Sequence, residues 1–180
     1  MKTQSFYKNA IIVLGVILFS LSTNAQENDG TLTPSINKNT YRTAFGLRAG
    51  ITSGLTIKHF VTDAGAIEGI VGIWPNSFTL TALYEHHVNA GAPGLYMYFG
   101  GGAHAAFGTG RIYYYENSGR RDFYRSGDVG IGMDGIIGME YKIAPIPLAV
   151  SLDMKPFFEM NTNGRAYLSL DPGIGVKVAF

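Results

Sequence analysis

Glu85-His86-His87, with His104 further along, are the residues of this chain best suited to moving protons. Histidine titrates near neutrality and a carboxylate can orient it, so a serine beside such a pair would complete a hydrolytic set. Alternation along the segment sends Glu85 and His87 to one face and His86 to the other, and no serine is spaced to meet His86. The group reads as interior and interfacial polar residues, and no catalytic residue is assigned. Gly130-Ile131-Gly132-Met133-Asp134-Gly135 matches G-x-G-x-x-G. A dinucleotide site needs that motif between a strand and a helix, whereas here two-residue alternation runs straight through it. It reads as a strand with glycines on its crowded face, so no cofactor or metal is expected.

A larger constellation is made of charge. Arg48, Lys58, Glu68, Glu85, Asp134, Glu140, Lys142, Asp153, Lys155, Glu159, Asp171 and Lys177 all fall on the polar parity of alternating segments. The opposite parity of those segments carries almost no charge. Such a division demands strands with one polar and one apolar face. The alternation is carried by eight segments, near residues 41–51, 55–61, 66–74, 77–88, 95–107, 129–143, 148–160 and 168–180. Turn residues separate them, at Ser53-Gly54, 62–65, Pro75-Asn76, 89–94, 144–147 and 161–164. Most of the eight approach the ~9–11 residues that a tilted strand needs to cross a bilayer.

Residues 1–25 have the form of an export signal: Lys2 and Lys8, an apolar run over 10–21, and Thr23 and Ala25 at the cleavage positions. Residues 26–40 are polar and aperiodic and read as a flexible periplasmic lead-in. About 155 residues then remain, enough for one domain. There is no cysteine, which excludes a disulfide framework, and a net charge of +1 gives no field for nucleic acid. With 24 glycines, 11 tyrosines and 11 phenylalanines the composition is that of an all-β chain.

The even strand number and the loop lengths agree with each other. With the N-terminus in the periplasm, the turns at 62–65, 89–94 and 144–147 lie on the periplasmic side and are short. The one long connection, 108–128, then falls outside the cell. On the apolar face Tyr41, Tyr84, Tyr141 and Phe180 would form one aromatic girdle, and Phe78, Phe107 and Phe158 the other. The last strand ends on Phe180, with Val178, Val176, Ile174, Leu170 and Leu168 on the same parity and no tail after it. Together these features resemble the small bacterial outer-membrane β-barrel proteins, among them the membrane domain of outer-membrane protein A. That resemblance covers about residues 41–180.

The resemblance implies an all-β, eight-stranded antiparallel up-and-down transmembrane β-barrel in the outer membrane. Its partners would be outer-membrane lipids and lipopolysaccharide, with the assembly machinery reading the strand that ends in Phe180. Eight strands leave a lumen just wide enough for side chains, so the inward charges are expected as a paired plug in a monomer, with a conducting pore as the rival. The expected role is structural or interactive. Loop 108–128 displays Arg111, Tyr113, Tyr114, Tyr115, Arg120, Arg121, Tyr124 and Arg125, residue types suited to binding surfaces and to phosphate or carboxylate. The plainer reading has those arginines resting on outer-leaflet phosphates. Two alternatives belong to other classes: a lipid-modifying enzyme using His86 or His104, and a soluble exported carrier of a lipophilic ligand with the apolar parity inward.

Overall fold

The computed structural model describes residues 41–74, 77–109, 127–162, 164 and 166–180. Within them the chain forms eight strands: β1 (Thr43–Gly50), β2 (Ser53–Phe60), β3 (Gly65–Trp74), β4 (Ser77–Asn89), β5 (Leu95–Gly108), β6 (Val129–Ile143), β7 (Leu148–Asn161) and β8 (Ala166–Ala179). Each pairs antiparallel with its sequence neighbour, and β1 pairs with β8, so the sheet closes into a barrel with no free edge. The seam is reinforced by Phe180, whose backbone oxygen accepts from the amides of Arg42 and Thr43 at 3.1 and 2.9 Å. The eight alternating segments of the sequence are the eight strands, displaced by at most a few residues at their ends.

The first turn differs from expectation. The chain reverses at Ile51 and Thr52, and Ser53 already belongs to β2. Ser53 Oγ accepts from the Gly50 amide at 3.1 Å and donates to the Gly50 carbonyl at 2.9 Å, so its hydroxyl clasps the turn from the strand side. Elsewhere the turn chemistry is where the sequence puts it. Thr62 Oγ1 accepts from the Gly65 amide at 2.7 Å, and Gly91 and Gly94 take φ of 85° and 80° in the 89–94 turn, a region open to residues without a Cβ.

Register sets the shape. A row of paired residues from Lys177 through Gly46, Thr56, Ile70, Thr81, His104, Gly132 and Glu159 returns to β8 at Tyr167, ten residues from its start. With ~3.3 Å per residue and ~4.8 Å between strands, that stagger tilts eight strands by about 40° to the axis and gives a radius of about 8 Å. The wall is uneven: the 8-residue strands β1 and β2 rise about 20 Å at that tilt, and the 14-residue β7 about 35 Å. Between Asp134 and Ile137 the β6–β7 ladder is interrupted opposite Lys155 and Pro156, because proline has no N–H to give. The G-x-G-x-x-G segment lies wholly inside β6.

Alternation assigns the two faces. Phe45, Leu47, Ile57, Ile73, Met133, Leu152, Leu170 and Val176 point outward and are exposed. Inside, apolar side chains form two thin layers. Tyr41, Phe60 and several alanines close the end where β1 begins and β8 finishes, here called the terminal end. Ile70, Leu83, Tyr98 and Ile136 form a second layer near mid-height. The polar interior is therefore divided into a terminal half and a loop half.

Candidate functional site in the lumen

The inward parity of all eight strands converges on a network of buried charge. In the terminal half Lys58 Nζ, wholly buried on β2, meets three carboxylates: Glu68 at 3.0 Å, Glu85 at 2.8 Å and Glu140 at 3.1 Å. They come from β3, β4 and β6, so one ammonium ties together strands on opposite sides of the barrel. Lys177 on β8 adds contacts to Glu68 at 2.9 Å and Glu140 at 3.8 Å. Thr56 Oγ1 donates to Glu68, and Tyr41 Oη donates to Glu140. Burial, followed by the Glu140 charge, pushes the Tyr41 hydroxyl above its ordinary pKa. His87 Nε2 lies 3.0 Å from Glu85, with the ring stacked on Tyr98 and set edge-on to Phe60.

The loop half is organised around a fork and a ring. Arg48 on β1 meets Asp153 through Nε at 3.2 Å and Nη2 at 2.6 Å, and Asp171 through Nη1 at 3.0 Å. It also donates to the Thr52 and Asp171 carbonyls, so the planar guanidinium uses several of its donors at fixed angles. His104 Nδ1 lies 2.7 Å from Asp134, and its Nε2 lies 2.9 Å from Glu159. Two carboxylate acceptors on one ring call for two N–H donors, the doubly protonated imidazole. Lys155 completes the group, 2.8 Å from Asp134 and 3.6 Å from Asp171. Tyr98 joins the halves: its hydroxyl donates to Asp153 at 3.2 Å, while Lys58 Nζ sits 4.4 Å from its ring centre.

Glycines opposite the bulky members make room for them. A Cβ on Gly132 would lie 2.2 Å from the His104 ring, one on Gly138 2.5 Å from Tyr98, and one on Gly173 2.4 Å from the Arg48 guanidinium. Each glycine is the strand partner of the residue it accommodates or lies one strand away from it, so the side chain lies flat across its neighbour's backbone.

Of the charges placed inward by parity, Arg48, Lys58, Glu68, Glu85, Asp134, Glu140, Asp153, Lys155, Glu159, Asp171 and Lys177 are all buried and all lie in these two groups. Lys142 stands apart. It is half-buried at the rim, where Nζ donates to the carbonyls of Ile143 at 3.2 Å and Ile146 at 2.8 Å. Parity gives its face correctly and says nothing of its depth. Tyr41 also departs from expectation: it precedes β1, turns inward and serves Glu140, so it is no part of an outer girdle. Tyr84, Tyr141 and Phe180 do face outward near the terminal end, and Phe107 and Phe158 near the loop end. Parity also places His87 and His104 inward, but their carboxylate partners come from register, which alternation does not contain.

Two expectations fall elsewhere. Arg111, Tyr113, Tyr114, Tyr115, Arg120, Arg121, Tyr124 and Arg125 lie outside the described residues, as do residues 1–40. His86 lies on the outer wall with the Phe99 ring at 5.6 Å, while His104 lies in the lumen. The two histidines therefore face opposite sides of the sheet and share no site. Among the described residues no group of three histidine, cysteine or acidic side chains is arranged to hold a metal.

Comparison with protein-family models, with known proteins and with solved structures gives no match to this chain.

Proposed function

We propose that this chain is a monomeric outer-membrane β-barrel protein with a sealed polar lumen, and that its role is structural or interactive through the surface loop 108–128. One observation carries the reading, the inverted placement of polarity. Ile73, Met133 and Leu168 on the outer wall are 71%, 73% and 77% exposed, whereas Lys58, Glu85 and Asp171 inside are wholly buried. In water such a wall would be a continuous apolar patch far beyond what monomers expose, and a hydrocarbon surround removes the penalty. The outward aromatics near both ends fit the two lipid–water interfaces. A carrier of a lipophilic ligand needs an apolar chamber, and the interior here is filled with paired charge.

The sealed lumen is inferred from the density of pairing. Buried ions retain their cost unless each finds partners, and here three lysines, an arginine and a histidine each hold at least two carboxylates. The test has three parts. On a detergent gel the folded barrel is expected to migrate differently before and after boiling, and in cells to fractionate with the outer membrane. Recovery in the soluble periplasm overturns the placement. In planar bilayers only brief, small openings are expected, and stable large conductance overturns the sealed lumen. Deleting residues 111–125 tests the loop: unchanged cell-surface binding removes its recognition role.

A further inference from the structure

The inner face of β5 is bare between its two large side chains. Tyr98 and His104 point into the lumen, and the inward positions between them are Gly100 and Gly102. A Cβ on Gly100 would fall 2.0 Å from the Tyr84 carbonyl oxygen, and one on Gly102 1.9 Å from that of Ala82, so the wall itself forbids a side chain. The strip links the terminal half, where His87 stacks on Tyr98, to the loop half, where His104 holds Asp134 and Glu159. Its cover comes from the flanking strands. Leu83 on β4 pairs with Gly102, Ile136 on β6 pairs with Gly100, and with Ile70 and Tyr98 they form the apolar layer near mid-height. Both flanking side chains are buried. The far side of the lumen, from β7 to β1, is held by the Arg48 fork, which Tyr98 joins through Asp153. Buried polar atoms without partners stand at both ends of the strip: Glu85 Oε1 and His87 Nδ1 in the terminal half, Glu159 Oε1 and Thr79 Oγ1 in the loop half.

We infer that this strip is a latent path for small cations through the barrel, shut by Leu83 and Ile136 as its stopper. It presupposes the sealed membrane barrel proposed above and names the residues that seal it. Charged side chains hold water, so a lumen filled with ion pairs alone leaves an ion polar groups to move between. An aliphatic constriction offers none, and an ion crossing it must shed hydration without replacement. The glycines make the stopper decisive: once Leu83 and Ile136 are cut back, β5 has no side chain of its own to fill the gap. Charge sets the sign of the ion. In each half the carboxylates outnumber the lysine and arginine side chains that face them, and charging both His87 and His104 still leaves acids in excess over the whole lumen. A narrow passage lined in that way concentrates cations.

The test records ion current through the refolded full chain in planar bilayers bathed in a potassium chloride gradient, each variant first checked for folding by its shift on boiling. Wild type is expected to give only brief, small openings. Leu83→Ala combined with Ile136→Ala is expected to carry at least about tenfold more current, as about 1.4 kcal/mol off the crossing barrier produces, and to reverse on the cation side. Lys155→Met, which removes a lumen charge and leaves the stopper in place, is expected to stay closed. Stable large openings of wild type overturn the sealed barrel itself. With wild type closed, a closed double variant, an anion-selective one, or equal current through Lys155→Met overturns the stopper alone. A labelling experiment decides the case in which the double variant does not fold. The chain has no cysteine, so Ser151→Cys, at a buried hydroxyl without a partner in the terminal half, reports access. It is expected to resist a small cationic thiol reagent when the stopper is intact and to react once Ile136→Ala is added. Reaction with the stopper intact overturns the sealed barrel, and no reaction in either background overturns the stopper.

Discussion

The two halves of the lumen meet the same demand, neutralising acids away from solvent, with opposite wiring. In the terminal half three glutamates converge on one ammonium, Lys58, and a second lysine serves two of them. In the loop half each aspartate has at least two partners on different strands: Asp134 has His104 and Lys155, Asp153 has Arg48 and Tyr98, and Asp171 has Arg48 and Lys155. The first is a hub and the second a mesh. A flexible ammonium with three donors can be shared among three acceptors, whereas a rigid guanidinium and an imidazole divide fixed directions among theirs. A hub concentrates the consequence of a single loss, and a mesh spreads it.

The largest expected effect tests that difference directly. Lys58→Met keeps the length of the side chain and leaves Glu68, Glu85 and Glu140 facing one another with Lys177 as their remaining cation. Removing one partner of a buried ion pair costs about 3–5 kcal/mol, and here three carboxylates lose theirs. Urea titration of the refolded barrel is expected to show a loss at or above that range. Lys155→Met in the mesh leaves Asp134 with His104 and Asp171 with Arg48, so its loss is expected to be clearly smaller. Equal losses for the two variants would remove the distinction between hub and mesh.

Tyr41→Phe comes next. It deletes the hydroxyl that donates to Glu140, and a hydrogen bond to a charged group contributes about 1.5–3 kcal/mol. The phenol's pKa is raised in the folded state, so its contribution is complete below the unfolded value of about 10 and is lost as pH rises above it. Wild type and Tyr41→Phe should therefore differ by a constant amount across neutral pH and converge in strong alkali. A difference that fades towards neutral pH would mean that the hydroxyl is not the group responsible.

Gly132→Ala probes the mesh sterically. The new methyl would fall 2.2 Å from the His104 ring and 2.7 Å from the Phe158 carbonyl, so either the ring or the wall must shift. Overpacking of this kind costs about 1–3 kcal/mol. If His104 is the rigid centre described here, its imidazole proton signals should shift together with those of Glu159 and Asp134. A silent His104 would show that the ring has slack.

How much of this was legible in the residues depends on whether alternation or register carries it. Alternation alone finds the eight strands, because charge occupies one parity from Arg48 to Lys177. The stagger of ten residues and the neighbours of His104 depend on where each turn closes, and Ser53 shows how a single hydroxyl moves that point by two residues. Tyr41 shares the parity of Phe45, yet it precedes β1, and counting in twos fails where the strand does. The inward Ile70, Leu83 and Ile136 were hidden for another reason. Apolar residues on a mostly charged face look like noise in a pattern, whereas in space they form the layer that separates hub from mesh.

Lys142→Ala carries the smallest expected effect and is the sharpest control on depth. In sequence Lys142 resembles Lys58: each is a lysine on the inward parity of an alternating strand. In space it is half-buried at the rim, and its ammonium donates to the backbone carbonyls of Ile143 at the end of β6 and Ile146 in the turn. Its ammonium gains little there over water, so the substitution should change stability by no more than about 0.5 kcal/mol. The same urea titration that registers the loss of Lys58 should find this variant close to wild type. A loss comparable to that of Lys58→Met would place Lys142 inside the terminal network, and the hub would then contain a third cation.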